Sequence, residues 1–184
     1  NGLQIISVNR VETVTLGSND FTTSMNSYNS AIETLNGKAE EYNYFGSEYV
    51  EARCVGSNPT NPSAQSGMHT TQFSSIYNGK LRDIDTNYET DYNKMKALGI
   101  AGSNANYWLA SRLVHSYSNY SGFFVRSVVS SGGLNYYSLC YVYSSGYANA
   151  ISTSNGLRPV FHLKSGIKIT GGDGSSDSPY VLGV

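Results

Sequence analysis

The stretch from Leu113 to Leu157 limits what this chain can build. Of its 45 residues, 11 are Ser, 7 Tyr, 5 Gly and 4 Asn. The preceding 112 residues hold 24 Lys, Glu, Gln, Met, Trp, Asp or Pro, and these 45 hold none. Tyr offers a large amphipathic contact area at small rotamer cost, while Ser, Gly and Asn offer small, adaptable hydrogen-bonding groups, which is the composition of a binding paratope. Flexible charged side chains, costly to immobilise, are avoided. The competing reading is a Ser/Tyr-rich antiparallel sheet with ordinary solvent faces. Disorder fits poorly, because Phe123, Val125, Val128, Leu134, Leu139, Val142 and Ile151 supply regular apolar anchors. Alternation predicts Phe123 and Val125 inward with Phe124 outward, and Tyr141 and Tyr143 on the face opposite Cys140 and Val142. Tyr136, Tyr141, Tyr143 and Tyr147 would then form an outward contact patch.

Around this tract the pattern predicts an α+β chain. Leu3–Val8 and Val11–Leu16 are rich in β-branched residues, and Asn9-Arg10 between them suits the turn of a hairpin or a bent strand. Asn19-Asp20 can cap a helix whose apolar face is Phe21, Met25, Tyr28, Ile32, Leu35, Ala39 and Tyr42, with Gly37 ending or kinking it. Ser57–Gly79, with two prolines, reads as a long surface loop. Thr86 can cap a second helix that buries Tyr88, Tyr92, Met95 and Leu98 and closes at Gly99. Strands are expected from Tyr107, at about 122–129, 134–143 and 157–163, and a terminal hairpin at about 166–184.

At 184 residues the chain suits one domain, 1–184, with a core that needs no metal or disulfide. A net charge of −1 with 14% charged residues leaves no basic footprint for nucleic acid or an anionic membrane. No apolar run reaches membrane-spanning length, so no insertion by this segment is expected. The chain opens on Asn1, and its sequence is silent about targeting. Cys54 and Cys140 either pair or remain as buried thiols.

Several phrases share a resemblance. Tyr107-Trp108-Leu109-Ala110-Ser111-Arg112, the Ser/Tyr/Asn/Gly tract, Gly156-Leu157-Arg158-Pro159-Val160-Phe161 and the tail Gly172-Asp173-Gly174-Ser175-Ser176-Asp177-Ser178-Pro179-Tyr180 resemble the variable proteins of diversity-generating retroelements. Their ligand-binding domain is C-type lectin-like, of the formylglycine-generating-enzyme type, and the nearest likeness is to surface or pilin-like proteins of gut Firmicutes and to phage proteins. The resemblance covers about residues 85–184 well and the N-terminal half loosely. It implies a fold with paired N- and C-terminal strands, two helices flanking short antiparallel sheets, and an exposed variable face at about 113–157. In such proteins adenine replacement in Asn codons varies chosen side chains and never yields Lys, Glu, Gln, Met or Trp, the five types absent here. The implied variable, ligand-binding set is Leu113, His115, Tyr117, Tyr120, Phe124, Ser127, Val129, Tyr136, Tyr137, Tyr141, Tyr143, Tyr147, Asn149 and Ile151, with Arg126 and Arg158 as framework. The function implied is hypervariable adhesion to a macromolecular ligand, a protein or cell-surface molecule, by an extracellular domain on a bacterial surface structure or phage.

The same scaffold can carry chemistry, so a metal-dependent lectin, an oxidase and a structural pilin-like subunit are the alternatives. Calcium-binding lectins use Glu-Pro-Asn or Gln-Pro-Asp with Trp-Asn-Asp, whereas none of the prolines here has such neighbours and Trp108 precedes Leu109. Asp173 and Asp177 lie in one short Gly-rich run, better read as a solvated turn than as a cation loop of six or more oxygens. The oxidases use a close cysteine pair, and Cys54 and Cys140 stand far apart in sequence. His69, His115 and His162 form no motif with Asp, Glu or Cys. No nucleophile, base and orienting group can be nominated together, so neither an enzyme, a cofactor nor a metal is expected. Trp108 reads as core.

Overall fold

Two sheets share the strand pair that the N-terminal segment makes with residues 153–163. The computed structural model describes residues 4–7, 9–57, 76–77, 80–81, 106–129 and 134–184. In chain order the elements are β1 (Gln4–Ile6), β2 (Glu12–Leu16), α1 (Phe21–Glu40), β3 (Val50–Cys54), β4 (Ile76–Tyr77), β5 (Lys80–Leu81) and β6 (Tyr107–Ser116). They continue with β7 (Tyr120–Val128), β8 (Leu134–Tyr143), β9 (Ala148–Ala150), β10 (Thr153–Leu157), β11 (Pro159–Leu163), β12 (Lys168–Gly171) and β13 (Val181–Gly183). The large sheet has the order β2-β10-β6-β7-β8-β9, and a three-stranded sheet the order β1-β11-β3. β4 with β5 and β12 with β13 form separate antiparallel pairs. The architecture is thus α+β and dominated by sheet, with one helix among the described residues. The second helix expected at 86–98 and most of the loop expected at 57–79 lie outside those residues.

Asn9-Arg10 does not close a hairpin. β1 pairs with β11 and β2 with β10, so the segment is a bent strand running antiparallel to a second bent strand through both sheets. The Gly156-Leu157-Arg158-Pro159 phrase is where that second strand changes sheet. A Cβ at Gly156 would sit 2.8 Å from the Asn106 carbonyl oxygen and 2.8 Å from Arg10 Cδ, so only glycine allows the approach. Leu157 is buried in the main core, and Arg158 donates from Nε to the Ser7 carbonyl at 3.0 Å with its guanidinium 5.1 Å from the centre of the Tyr107 ring. Pro159 then opens β11 opposite Cys54. Beyond this switch the large sheet is mixed: β10 meets β6 in parallel at Gly156 and Tyr107, and β6, β7 and β8 are nine or ten residues long rather than short.

Asp20 caps α1, accepting from the Thr23 amide at 2.8 Å and from the Thr23 hydroxyl at 2.7 Å. Helical spacing then buries Tyr28, Ala31, Ile32, Leu35 and Ala39 against Val14, Leu16, Cys54, Trp108, Ala110, Val125, Leu139 and Leu157. Gly37 does not end the helix, which continues to Glu40. The glycine is exposed, and Asn36 and Ala39 beside it are held in the interior, so tertiary packing outweighs its weak helical propensity. Trp108 is fully buried and donates from its indole N–H to the Val14 carbonyl at 2.8 Å, pinning β6 to β2.

Cys54 and Cys140 are both buried free thiols. Burial pushes the Cys54 thiol up to about 12 and the Cys140 thiol up to about 11.

Candidate ligand-binding face

α1 covers one face of the large sheet. The opposite face is divided: near one end Tyr107, Leu109 and Val128 pack with Val55, Ile6 and Val160, and toward the β6–β7 and β8–β9 turns the aromatic residues of the Ser/Tyr tract take over.

A bulge sets the phase of that aromatic end. Phe123 pairs with Cys140 but Phe124 pairs with Ser138, leaving Leu139 as the extra residue of β8. Simple alternation would put Tyr136 and Tyr141 on opposite faces, because five positions separate them. The inserted residue restores them to one face, with Leu139 and Cys140 both buried. A second irregularity, between Trp108 and Arg112 in β6, inserts two residues and so preserves phase. It leaves Trp108 and Arg112 on the helix side, Arg112 over the Tyr28 ring at 5.2 Å, and Leu113 and His115 on the other.

On the far side the rings make one connected array. His115 stands edge-on to Tyr117 at 4.1 Å between ring centres, and Tyr117 stacks on Tyr120 at 4.3 Å. Tyr120 meets Tyr141 and Tyr143, each at 5.4 Å, and Tyr143 meets Tyr147 at 5.5 Å. Phe124 stands edge-on to Tyr136 at 4.9 Å and to Tyr141 at 5.8 Å. The edge-to-face and stacked contacts suit the ring quadrupoles and hold the inner rings against their neighbours, so those rings have little rotamer freedom to lose on binding. The Tyr117 phenol is pushed well above its usual value, first by desolvation and then by the neighbouring Tyr136 and Tyr120 hydroxyls.

The fourteen residues implied by the resemblance therefore divide. His115, Tyr117, Tyr120, Phe124, Tyr136, Tyr141, Tyr143 and Tyr147 join the array, and Asn149, paired with Tyr141, shares its face. Exposure varies within it: Tyr147 is 62% exposed, most of the tyrosines are half-buried, and Phe124 at 3% lies beneath its neighbours. Leu113 is on the same face, opposite Phe124, but buried. Two of the expected contact residues point the other way. Ser127, opposite Trp108, is fully buried, and Tyr137 packs edge-on against Trp108 at 5.9 Å on the helix side. Val129 and Ile151 are half-buried and make none of the ring contacts, with the Ile151 amide donating to the Leu139 carbonyl at 2.8 Å.

Composition alone did not mark Gly122 as part of the site. It lies on the aromatic face opposite Tyr141, and the Phe124 ring occupies the space its side chain would need. A sequence signal was present, for Gly122 stands two positions from Phe124 and would share its face. Arg126, expected as framework, is buried on this face opposite Tyr136.

Among the described residues no three His, Cys, Asp or Glu side chains are placed to hold a metal ion. His162 is half-buried in β11, its Nδ1 3.1 Å from Gln4 Nε2, and desolvation followed by the Arg53 charge lowers its pKa. Asp173 accepts from the Ser175 amide at 2.9 Å, the geometry of a turn. No helix among the described residues is long and apolar enough to cross a membrane. No protein-family model, curated protein or solved structure matches the chain.

Proposed function

We propose that the chain is a non-enzymatic ligand-binding domain of C-type lectin-like fold, whose aromatic face captures a macromolecular partner. The observation that carries this reading is the single connected array of eight rings on the sheet face opposite α1. A partner covering roughly 800 Å² of this side would bury the tyrosine rings, while Ser, Asn and phenol hydroxyls complete hydrogen bonds. Tyrosines already held by one another bind with little ordering cost. The resemblance adds that these positions are varied by a retroelement, and that the domain is displayed outside the cell on a bacterial surface structure or phage particle.

The test is to treat the face as interchangeable. A library randomised at His115, Tyr120, Tyr141, Tyr143 and Tyr147 is displayed on phage and panned on a stock protein such as egg lysozyme. Most clones should fold and some should bind, with binding lost when the selected side chains are returned to alanine. A library in which most clones fail to fold would make the rings structural and remove the reading. For the retroelement, the coding locus should hold a nearly identical template repeat that differs only where the template has adenine.

A further inference from the structure

The aromatic face runs to β9, the last strand of the large sheet. β9 registers with β8 as Cys140 with Ala150, Tyr141 with Asn149, and Val142 with Ala148. Just outside the strand, the Tyr143 amide donates to Tyr147 and the Ile151 amide to Leu139, both at 2.8 Å. Residues 147, 149 and 151 thus turn their backbone groups toward β8. By alternation, the N–H and C=O groups of Ala148 and Ala150 point away from the sheet. No hydrogen bond of the described residues uses these outward groups.

Another edge of this fold is closed by side chains. On β3 the Ala52 amide donates to Glu40 at 2.7 Å and the Cys54 amide to Asn36 at 3.0 Å. Among the described residues no side chain covers β9 in this way, and its only guard against strand addition is its length of three residues, for its sequence, Ala-Asn-Ala, has no Lys, Pro or charge. Its residues are half-buried, with Asn149 on the tyrosine side.

We propose that β9 is a docking edge: an extended peptide segment of a protein partner adds beside Ala148–Ala150 and lays every second side chain on the face that carries Asn149, Tyr143 and Tyr147. Main-chain hydrogen bonds hold the segment, and the rings select its side chains. Residues 134–151, which form β8, the turn and β9, carry no Asp, Glu, Lys or Arg, so apolar or aromatic residues fit and salt has little effect. This rests on the aromatic face being the binding site, and it names the partner as an extended polypeptide rather than a glycan.

The probe is a set of peptides selected from a phage-displayed random 12-residue library on the purified domain, then synthesised. Binding should slow amide exchange at Ala148 and Ala150 at least tenfold, and 0.5 M NaCl should change the Kd less than threefold. Ala150→Pro removes an outward donor that edge strands can spare and should weaken binding at least tenfold with the melting temperature unchanged. Ala148→Pro repeats the test should the first variant unfold. Unslowed exchange at both alanines with wild-type affinity in the proline variants overturns the docking edge, as does a library that yields no peptide or a glycan array that alone gives ligands. The two readings separate through Tyr141→Ala/Tyr143→Ala. Loss of binding there with no effect of proline leaves the face and removes the edge; proline sensitivity with no effect of the tyrosine pair removes the face, and with it the selection of side chains by the rings.

Discussion

A side-chain carbon at Gly122 would lie 2.3 Å from Cζ of Phe124 and 3.1 Å from Cε1 of Tyr141. The Phe124 ring therefore lies down over a glycine, and in that position it touches both Tyr136 and Tyr141 from below. Phe124 is better described as the support of the aromatic face than as one of its contact groups.

Gly122→Ala should lift that ring. Overpacking at a buried site costs roughly 1–3 kcal/mol, and the displaced ring removes the edge contacts that orient Tyr136 and Tyr141. Urea unfolding should show the loss of stability, and near-ultraviolet circular dichroism should show weakened aromatic signals with the far-ultraviolet spectrum unchanged.

Two tyrosines of one tract should answer oppositely to the same change. Tyr147 is 62% exposed at the β8–β9 turn, and its replacement by Ser should shift stability by no more than about 0.5 kcal/mol. Tyr137 packs edge-on against the buried Trp108, and Tyr137→Ser opens a gap in the main core at a cost of about 2–4 kcal/mol. Chemical denaturation of the two variants side by side checks the contrast, and equal effects would mean that the β8 register is wrong.

That contrast marks the limit of what the sequence reveals. α1 was legible because cap, spacing and burial agree from Asp20 to Ala39. That Phe123 and Val125 share one face and Phe124 the other was legible from alternation, but the outward exposure expected of Phe124 was not met, for it is buried beneath the tyrosines. Tyr137 and Ser127 were misplaced because Tyr and Ser are equally at home on either side of a sheet, so composition does not report parity. The extra residue at Leu139 was invisible for the same reason: Leu139-Cys140 reads as one inward and one outward residue until the partner strand shows both inside. The partners of β1 and β2 lie about 140–160 positions away, and local turn chemistry at Asn9-Arg10 carries no information about them.

The thiols should be inert in the native protein. Burial raises Cys54 to about 12 and Cys140 to about 11, so at pH 8 the thiolate is about one part in ten thousand and one in a thousand. A colorimetric disulfide reagent should register no fast-reacting thiol in the folded chain and two after denaturation. One consequence is that reducing agent should leave the melting temperature unchanged, as expected of a fold that draws nothing from a bridge.

The cap of α1 should make stability depend on acid in a defined direction. The Asp20 carboxyl is lowered from its ordinary value by the Thr23 amide first and the Thr23 hydroxyl second, both of which bind the ionised form. A carboxyl depressed in the folded state contributes stability that is fully present above its unfolded value, roughly 3.9, and is lost as pH falls through the lower folded value. Asp20→Asn keeps an acceptor for the Thr23 amide but cannot titrate. The difference in stability between wild type and Asp20→Asn should therefore be flat from pH 7 to 5 and shift against the wild type below about pH 4. Urea titrations of both proteins across that range measure it, and a difference that stays constant down to pH 2.5 would show that the carboxylate is not what holds the first turn of the helix.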